Sequence, residues 1–254
     1  MSEIIIEEKL SNGIRVVIDQ GSQAGLLSVG FGFSVGSRYE IEEENGLAHF
    51  LEHNIFNGTT RSTKEEIDFR AADIGAEINA YTGKIETNYH ITGQAADIDP
   101  MIDILTEIVS DSTFPEEAFE AERGAVIQEI NEAQGNPDRI FSNSVLSSVF
   151  PDQALGRTVL GPIKNISAFP RETMIRFFEE NYNTESVIVA VAGDVDPADT
   201  IQKLEERLSG FRHGLKPDFE KARMAAPLYD HIQASYMPQT RAAIIYRGMN
   251  LLDP

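Results

Sequence analysis

The spacing of apolar and polar positions changes several times along the first hundred residues, and each change marks a new element. Ile14 to Ile18, after the Asn12-Gly13 turn, and Leu26 to Val35 read as strands, the first pair of an antiparallel or mixed sheet. Residues 44–56 and 63–74 move to helical spacing. In the second of these, Thr63 and Glu66 can form a capping box and Gly75 supplies the stop. Strands follow at about 77–82 and 86–93. Helices near 98–111, 115–134, 137–149 and 170–181 surround a strand from Ser186 to Ala192, and another helix occupies about 197–208. This order predicts an α+β fold, a mixed and largely antiparallel sheet packed with helices. From His213 the pattern turns polar and proline-bearing, which reads as a linker over 213–229, and Gln239 to Tyr246 reads as one more strand.

The first predicted helix carries His49-Phe50-Leu51-Glu52-His53, an H-x-x-E-H string. Positions i and i+4 project from one helix face, so both imidazoles can aim at one point with Glu52 beside them. Phe50, Leu51 and Leu47 point elsewhere and can anchor the helix in the core. Zinc accepts imidazole nitrogen, and a catalytic zinc typically keeps three protein ligands, so a third is required. A pair of histidines four apart is also an ordinary feature of an amphipathic helix, and the pentapeptide alone leaves both readings open.

The helix beginning at Phe114-Pro115-Glu116-Glu117 offers the missing ligand. Proline opens it and acids sit against its positive end. Glu122 and Glu129 are seven apart and share a stripe with Val126 and Ala133. Glu116, Glu117 and Glu120 suit a solvated face, whereas Glu129 on the same stripe as apolar residues suits an inward role.

Gly46-Leu47-Ala48-His49-Phe50-Leu51-Glu52-His53 followed by Phe56-x-Gly58-Thr59 resembles the signature of the pitrilysin and insulinase-type metallopeptidases, which include the mitochondrial processing peptidases. Val35-Gly36-Ser37-Arg38, Asn79-Ala80-Tyr81-Thr82, Glu122-Arg123-Gly124, Gln128-Glu129-Ile130, Asn136-Pro137, Leu155-Gly156-Arg157, Leu160-Gly161 and Ala192-Gly193-Asp194-Val195 continue it in the same order. The resemblance spans about residues 5 to 212 and implies a zinc metallopeptidase domain over 1–212. It implies one zinc ion held by His49, His53 and Glu129, Glu52 as general base, and Glu122 as a supporting catalytic acid. It also implies that Asn79, Ala80, Tyr81 and Thr82 form a strand edge that pairs with extended substrate. Asn54 departs from the family, where this position is usually apolar, and altered packing is the expected consequence. The family closes its peptide chamber with a second, similar half. By resemblance, residues 230–254 begin such a domain, so a homologous domain or subunit is an expected partner. The function implied is a zinc-dependent endopeptidase acting on peptides or unfolded protein segments. The alternative is a noncatalytic peptide-binding or assembly subunit.

Forty-one acids against twenty-one bases give a formal charge of -20. Nucleic acid and anionic membrane surfaces would be repelled, so neither is an expected partner. No apolar run approaches the roughly 20 residues of a membrane helix. The chain has no cysteine, which leaves histidine and carboxylate for a metal. The acidic start Met1-Ser2-Glu3 lacks the basic flank of a signal or transit peptide, and cytoplasm is the expected location.

Overall fold

A computed structural model describes residues 4–21, 25–226, 239–246 and 248. Six strands are present among them: β1 (Ile4–Lys9), β2 (Arg15–Gln20), β3 (Leu26–Phe33), β4 (Glu77–Thr82), β5 (Thr87–Gln94) and β6 (Val187–Gly193). They form one sheet in the order β1-β2-β6-β3-β5-β4. Every pairing is antiparallel except β2 with β6. The α+β class with a mixed, largely antiparallel sheet therefore holds.

The strands at 14–18 and 26–35 are not neighbours, contrary to the sequence reading. Strand β6 lies between them, with Val17 opposite Ala190 on one side and Val29 opposite Val191 on the other. Its alternation explains the placement: Val187, Val189 and Val191 are buried on the core face. The acid-rich amino terminus, for which the sequence reading assigned no element, forms β1 on the outer side of β2.

Helices α1 (Leu47–Asn54), α2 (Lys64–Asp73), α3 (Ile98–Asp111), α4 (Glu116–Gly135), α5 (Pro137–Val149), α6 (Ile163–Ala168), α7 (Arg171–Asn181) and α8 (Pro197–Leu208) complete the body. All but the short α6 match predicted helices. The Thr63–Glu66 capping box forms, and Gly75 follows the end of α2 at φ +62°. Asn136 caps α5 by accepting from the backbone N–H of Asp138 and Arg139, which turns the chain sharply after α4. No helix among the described residues is long and apolar enough to cross a membrane.

The core lies between one sheet face and the helices. Val29, Phe31 and Phe33 of β3 and Tyr89 and Ile91 of β5 meet Phe50 and Leu51 of α1 and Ile102, Leu105 and Ile108 of α3 in one buried cluster. Leu47, Phe50 and Leu51 are each completely buried. At about 1.5–3 kcal/mol per side chain, these three fix the face that α1 turns away from the core.

Residues 213–226 have no helix or strand but lie against the body. The Arg38 guanidinium sits 4.0 Å over the Phe219 ring, and the Gln153 amide both donates to and accepts from the backbone of Arg223. Part of the proposed linker and second-domain start, residues 227–238, lies outside the described residues, as do 247 and 249–254. The strand expected at 239–246 does not form. A strand exists through a partner's ladder, and no described strand pairs with this segment.

Candidate metal centre

Helix α1 begins at Gly46, whose φ of +103° is a conformation that side chains disfavour. A Cβ at Gly46 would stand 2.7 Å from the Leu160 carbonyl oxygen. With no side chain of its own to cap the helix, this end is served by a carboxylate from six residues upstream. Glu40 Oε2 accepts from Gly46 N–H at 2.9 Å and from Asn45 Nδ2 at 2.9 Å, and Oε1 accepts from Ala48 N–H at 2.7 Å. An anion is favoured here because these N–H groups lack helical partners and lie at the positive end of the dipole. Burial pushes the Glu40 carboxyl up to about 7, opposed by the bonds from Asn45, Ala48 and Gly46 and by the charge of Arg157.

One turn further on, His49 and His53 face Glu129 of α4. Nε2 of His49 is 3.4 Å from Glu129 Oε2, and Nε2 of His53 is 3.6 Å from the same oxygen. All the donor atoms of this trio lie within 4.8 Å of one another. A tetrahedral zinc holds nitrogen and oxygen donors at about 2.0–2.1 Å, which separates any two of them by about 3.3 Å. Two imidazole nitrogens and one carboxylate oxygen at these distances fit that ion.

The two histidines are held differently. His53 Nδ1 is 3.3 Å from Glu122 Oε2, and Asn57 Nδ2 donates to the other oxygen of Glu122 at 3.3 Å. Lys64 Nζ donates to Asn57 Oδ1 at 2.9 Å and stands 3.8 Å from Glu122. His49 Nδ1 is buried and meets no hydrogen-bond partner among the described residues.

Charge and burial separate their protonation. Burial, with the neighbouring His53 charge and Arg139 acting the same way against Glu129, holds His49 down to about 4. Burial would also lower His53, but the bond to Glu122 and the charges of Glu52, Glu122 and Glu129 outweigh it and raise the imidazole above its ordinary value. The bond with His53 in turn holds Glu122 below the usual carboxylate range against its own burial.

Glu52 stands beside the histidines. Its Oε2 accepts from Thr82 Oγ1 at 2.7 Å. Burial raises its pKa above the ordinary value, while the Thr82 bond and the His53 charge pull it back. The proposed substrate edge is β4, the last strand of the sheet, which pairs on one side with β5. Thr82 touches the site through Glu52. Asn79 and Tyr81 bond locally, Asn79 Oδ1 to the N–H of Ala80 at 2.8 Å and Tyr81 to Glu86 at 3.3 Å.

Asn54 is fully buried. Its Nδ2 donates to the Phe50 carbonyl at 2.8 Å, and its Oδ1 has no partner among the described residues. Sequence reasoning missed four residues around the cluster: Glu40, Asn57, Lys64 and Arg139, the last 3.4 Å from Glu129 Oε1. Glu40 belongs to an acid-rich run with Glu42, Glu43 and Glu44, and nothing in its spacing separates the buried member from the solvated ones. Asn57 carries a usable signal, since it lies one turn beyond His53.

The model of the insulinase family, peptidase family M16, matches residues 15–163, a stretch containing His49, Glu52, His53, Glu122 and Glu129. The chain belongs to this family. An uncharacterized zinc protease of Rickettsia felis is 35% identical over 223 residues, covering 88% of this chain and 54% of that protein. The mitochondrial-processing peptidase subunit beta of Dictyostelium discoideum is 30% identical over 250 residues, covering 96% of this chain and 53% of that protein. The chain thus spans about half the length of these relatives. A crystal structure of a protease from Helicobacter pylori superposes with a TM-score of 0.81 at 23% identity, over 89% of this chain and 55% of that one, and shares the fold.

Proposed function

We propose that this chain is the metal-binding half of a zinc-dependent endopeptidase that cleaves peptides or unfolded protein segments. The observation that carries this reading is the convergence of His49 and His53 on one oxygen of Glu129, with Glu52 held beside them by Thr82. The relatives named as a zinc protease and a processing-peptidase subunit support it.

In this reading His49, His53 and Glu129 hold the ion. Bound zinc supplies a polarised scissile carbonyl and a more acidic water. Glu52 would take a proton from the water that attacks the carbonyl carbon and would return a proton to the amine nitrogen as the C–N bond breaks. A carboxylate raised by burial is closer to the basicity this task needs. Glu122, through Nδ1 of His53, keeps Nε2 of that ring turned towards Glu129. The outer edge of β4, residues Asn79 to Thr82, which pairs with no strand among the described residues, lets a substrate pair through backbone groups, which suits a peptidase tolerant of sequence. A second, similar half, in the same polypeptide or in another subunit, covers the cleft.

The test uses Glu52→Gln, which keeps shape and removes the basic carboxylate. With the completed enzyme, zinc content stays at about one per chain and peptide hydrolysis falls by at least roughly 10²-fold. Near-normal turnover would show that Glu52 is not the base. Stoichiometric zinc in a chain lacking both His49 and His53 would reject the metal site.

A further inference from the structure

The histidine whose Nδ1 meets no hydrogen-bond partner among the described residues is His49, the one nearest the start of α1. His53 is oriented through Nδ1 by Glu122, as metal-bound imidazoles usually are by a carboxylate or carbonyl. His49 Nδ1 has no such partner among the described residues, so this ring lacks the second anchor that Glu122 gives His53 and leans more on the backbone that carries it.

That backbone is unusually well anchored, and the anchor is Glu40. Its two oxygens receive three donors, from Asn45, Gly46 and Ala48, the last being the residue before His49. The arrangement is braced from outside. Asn45 also donates to the Thr158 carbonyl at 2.9 Å, Asn165 Nδ2 donates to the Asn45 carbonyl at 3.2 Å, and the Arg157 guanidinium donates to the Glu40 carbonyl. Gly161 lies so close that a Cβ on it would be 2.2 Å from the Asn45 oxygen. Glu40 is 4% exposed, and the proposed chemistry does not use it. A buried carboxyl is costly to keep and is retained here where its two oxygens match the donors of a helix start.

We infer that Glu40 is a positioning residue for the metal centre: its carboxylate sets the start of α1 and thereby the direction of His49, the task that Glu122 performs for His53. This rests on the zinc reading above. Glutamine cannot replace it, because an amide offers one acceptor oxygen and its NH₂ would face a second N–H.

The full chain, stripped of metal, is titrated with zinc against a chromophoric chelator and with cobalt for its visible absorption, with urea unfolding measured in parallel. Glu40→Gln is expected to unfold cooperatively yet bind zinc roughly 10- to 100-fold more weakly, with an altered cobalt spectrum. Glu40→Asp, which keeps both acceptor oxygens on a shorter arm, falls between that variant and the wild type. If Glu40→Gln does not fold, Glu40→Asp alone carries the comparison, and weakened zinc binding in a folded chain is the supporting result. A folded variant that is less stable but binds zinc within twofold of wild type, with an unchanged cobalt spectrum, overturns the inference and leaves Glu40 as a helix cap. A wild-type chain that binds no zinc removes the metal reading itself, which keeps the two failures apart.

Discussion

Thr82 Oγ1 donates to Glu52 Oε2 at 2.7 Å, so the last residue of the edge strand holds the carboxylate that flanks the two histidines. The bond favours the ionised form of Glu52 and works against burial. Thr82→Val keeps the strand shape and removes the donor, so the Glu52 pKa rises further. A general base must be ionised, and the acid limb of kcat/KM in the completed enzyme therefore moves to higher pH. A pH–rate profile that superposes on the wild type would dissociate Thr82 from the base.

Glu122→Gln tests the other carboxylate. The bond to Glu122 and the surrounding negative charges raise His53 above its ordinary value, against burial. Neutralising Glu122 lets burial count for more, and the His53 titration midpoint in the metal-free chain drops. The sign for stability follows: a histidine raised in the folded state contributes stability fully present below its unfolded value of about 6.5, lost as pH rises through the folded value. The variant loses part of that acid-side contribution. Imidazole proton resonances followed against pH check the shift, and an unmoved midpoint contradicts the pairing.

Asn54 is buried with an unpartnered Oδ1, and its Nδ2 bonds back to its own helix at Phe50. Asn54→Met replaces it with an apolar side chain that adapts to irregular space. The expected outcome is a gain of about 1 kcal/mol from relieving an unsatisfied buried acceptor, or a rise of roughly 2–4 °C in Tm, with zinc stoichiometry unchanged. Calorimetry of the metal-free variant decides it; a clear loss of stability would mean that the amide is needed where it stands.

Catalysis is expected to need the complementary half. The cluster is partly open, with Glu129 31% exposed and His53 27% exposed in their side chains. A peptide on β4 would be held along one edge only, which weakens both positioning and electrostatic stabilisation. A fluorogenic peptide mixture is cleaved much faster by the completed assembly than by this chain alone, with mass tracked by light scattering. Equal rates from a demonstrated monomer and from the assembly would sink the requirement.

Helical spacing is a local property, and it made most of the candidate centre readable in advance. At 3.6 residues per turn, His49, Glu52 and His53 come to one side of α1 and Glu122 and Glu129 to one stripe of α4, whatever surrounds them. The same locality made the Thr63 capping box legible, because it is completed within four residues. The meeting of α1 with α4 was supplied by family resemblance, not by spacing.

Three features became visible only in the folded chain, and they share a cause. The insertion of β6 between β2 and β3, the absence of a strand at 239–246 and the burial of Glu40 beneath Gly46 each depend on which distant segments come to lie side by side. A strand is defined by its neighbour's hydrogen bonds, and a buried carboxylate by the donors gathered around it. Alternation and acid-rich composition describe what a segment offers, and tertiary packing decides whether another segment arrives to accept it.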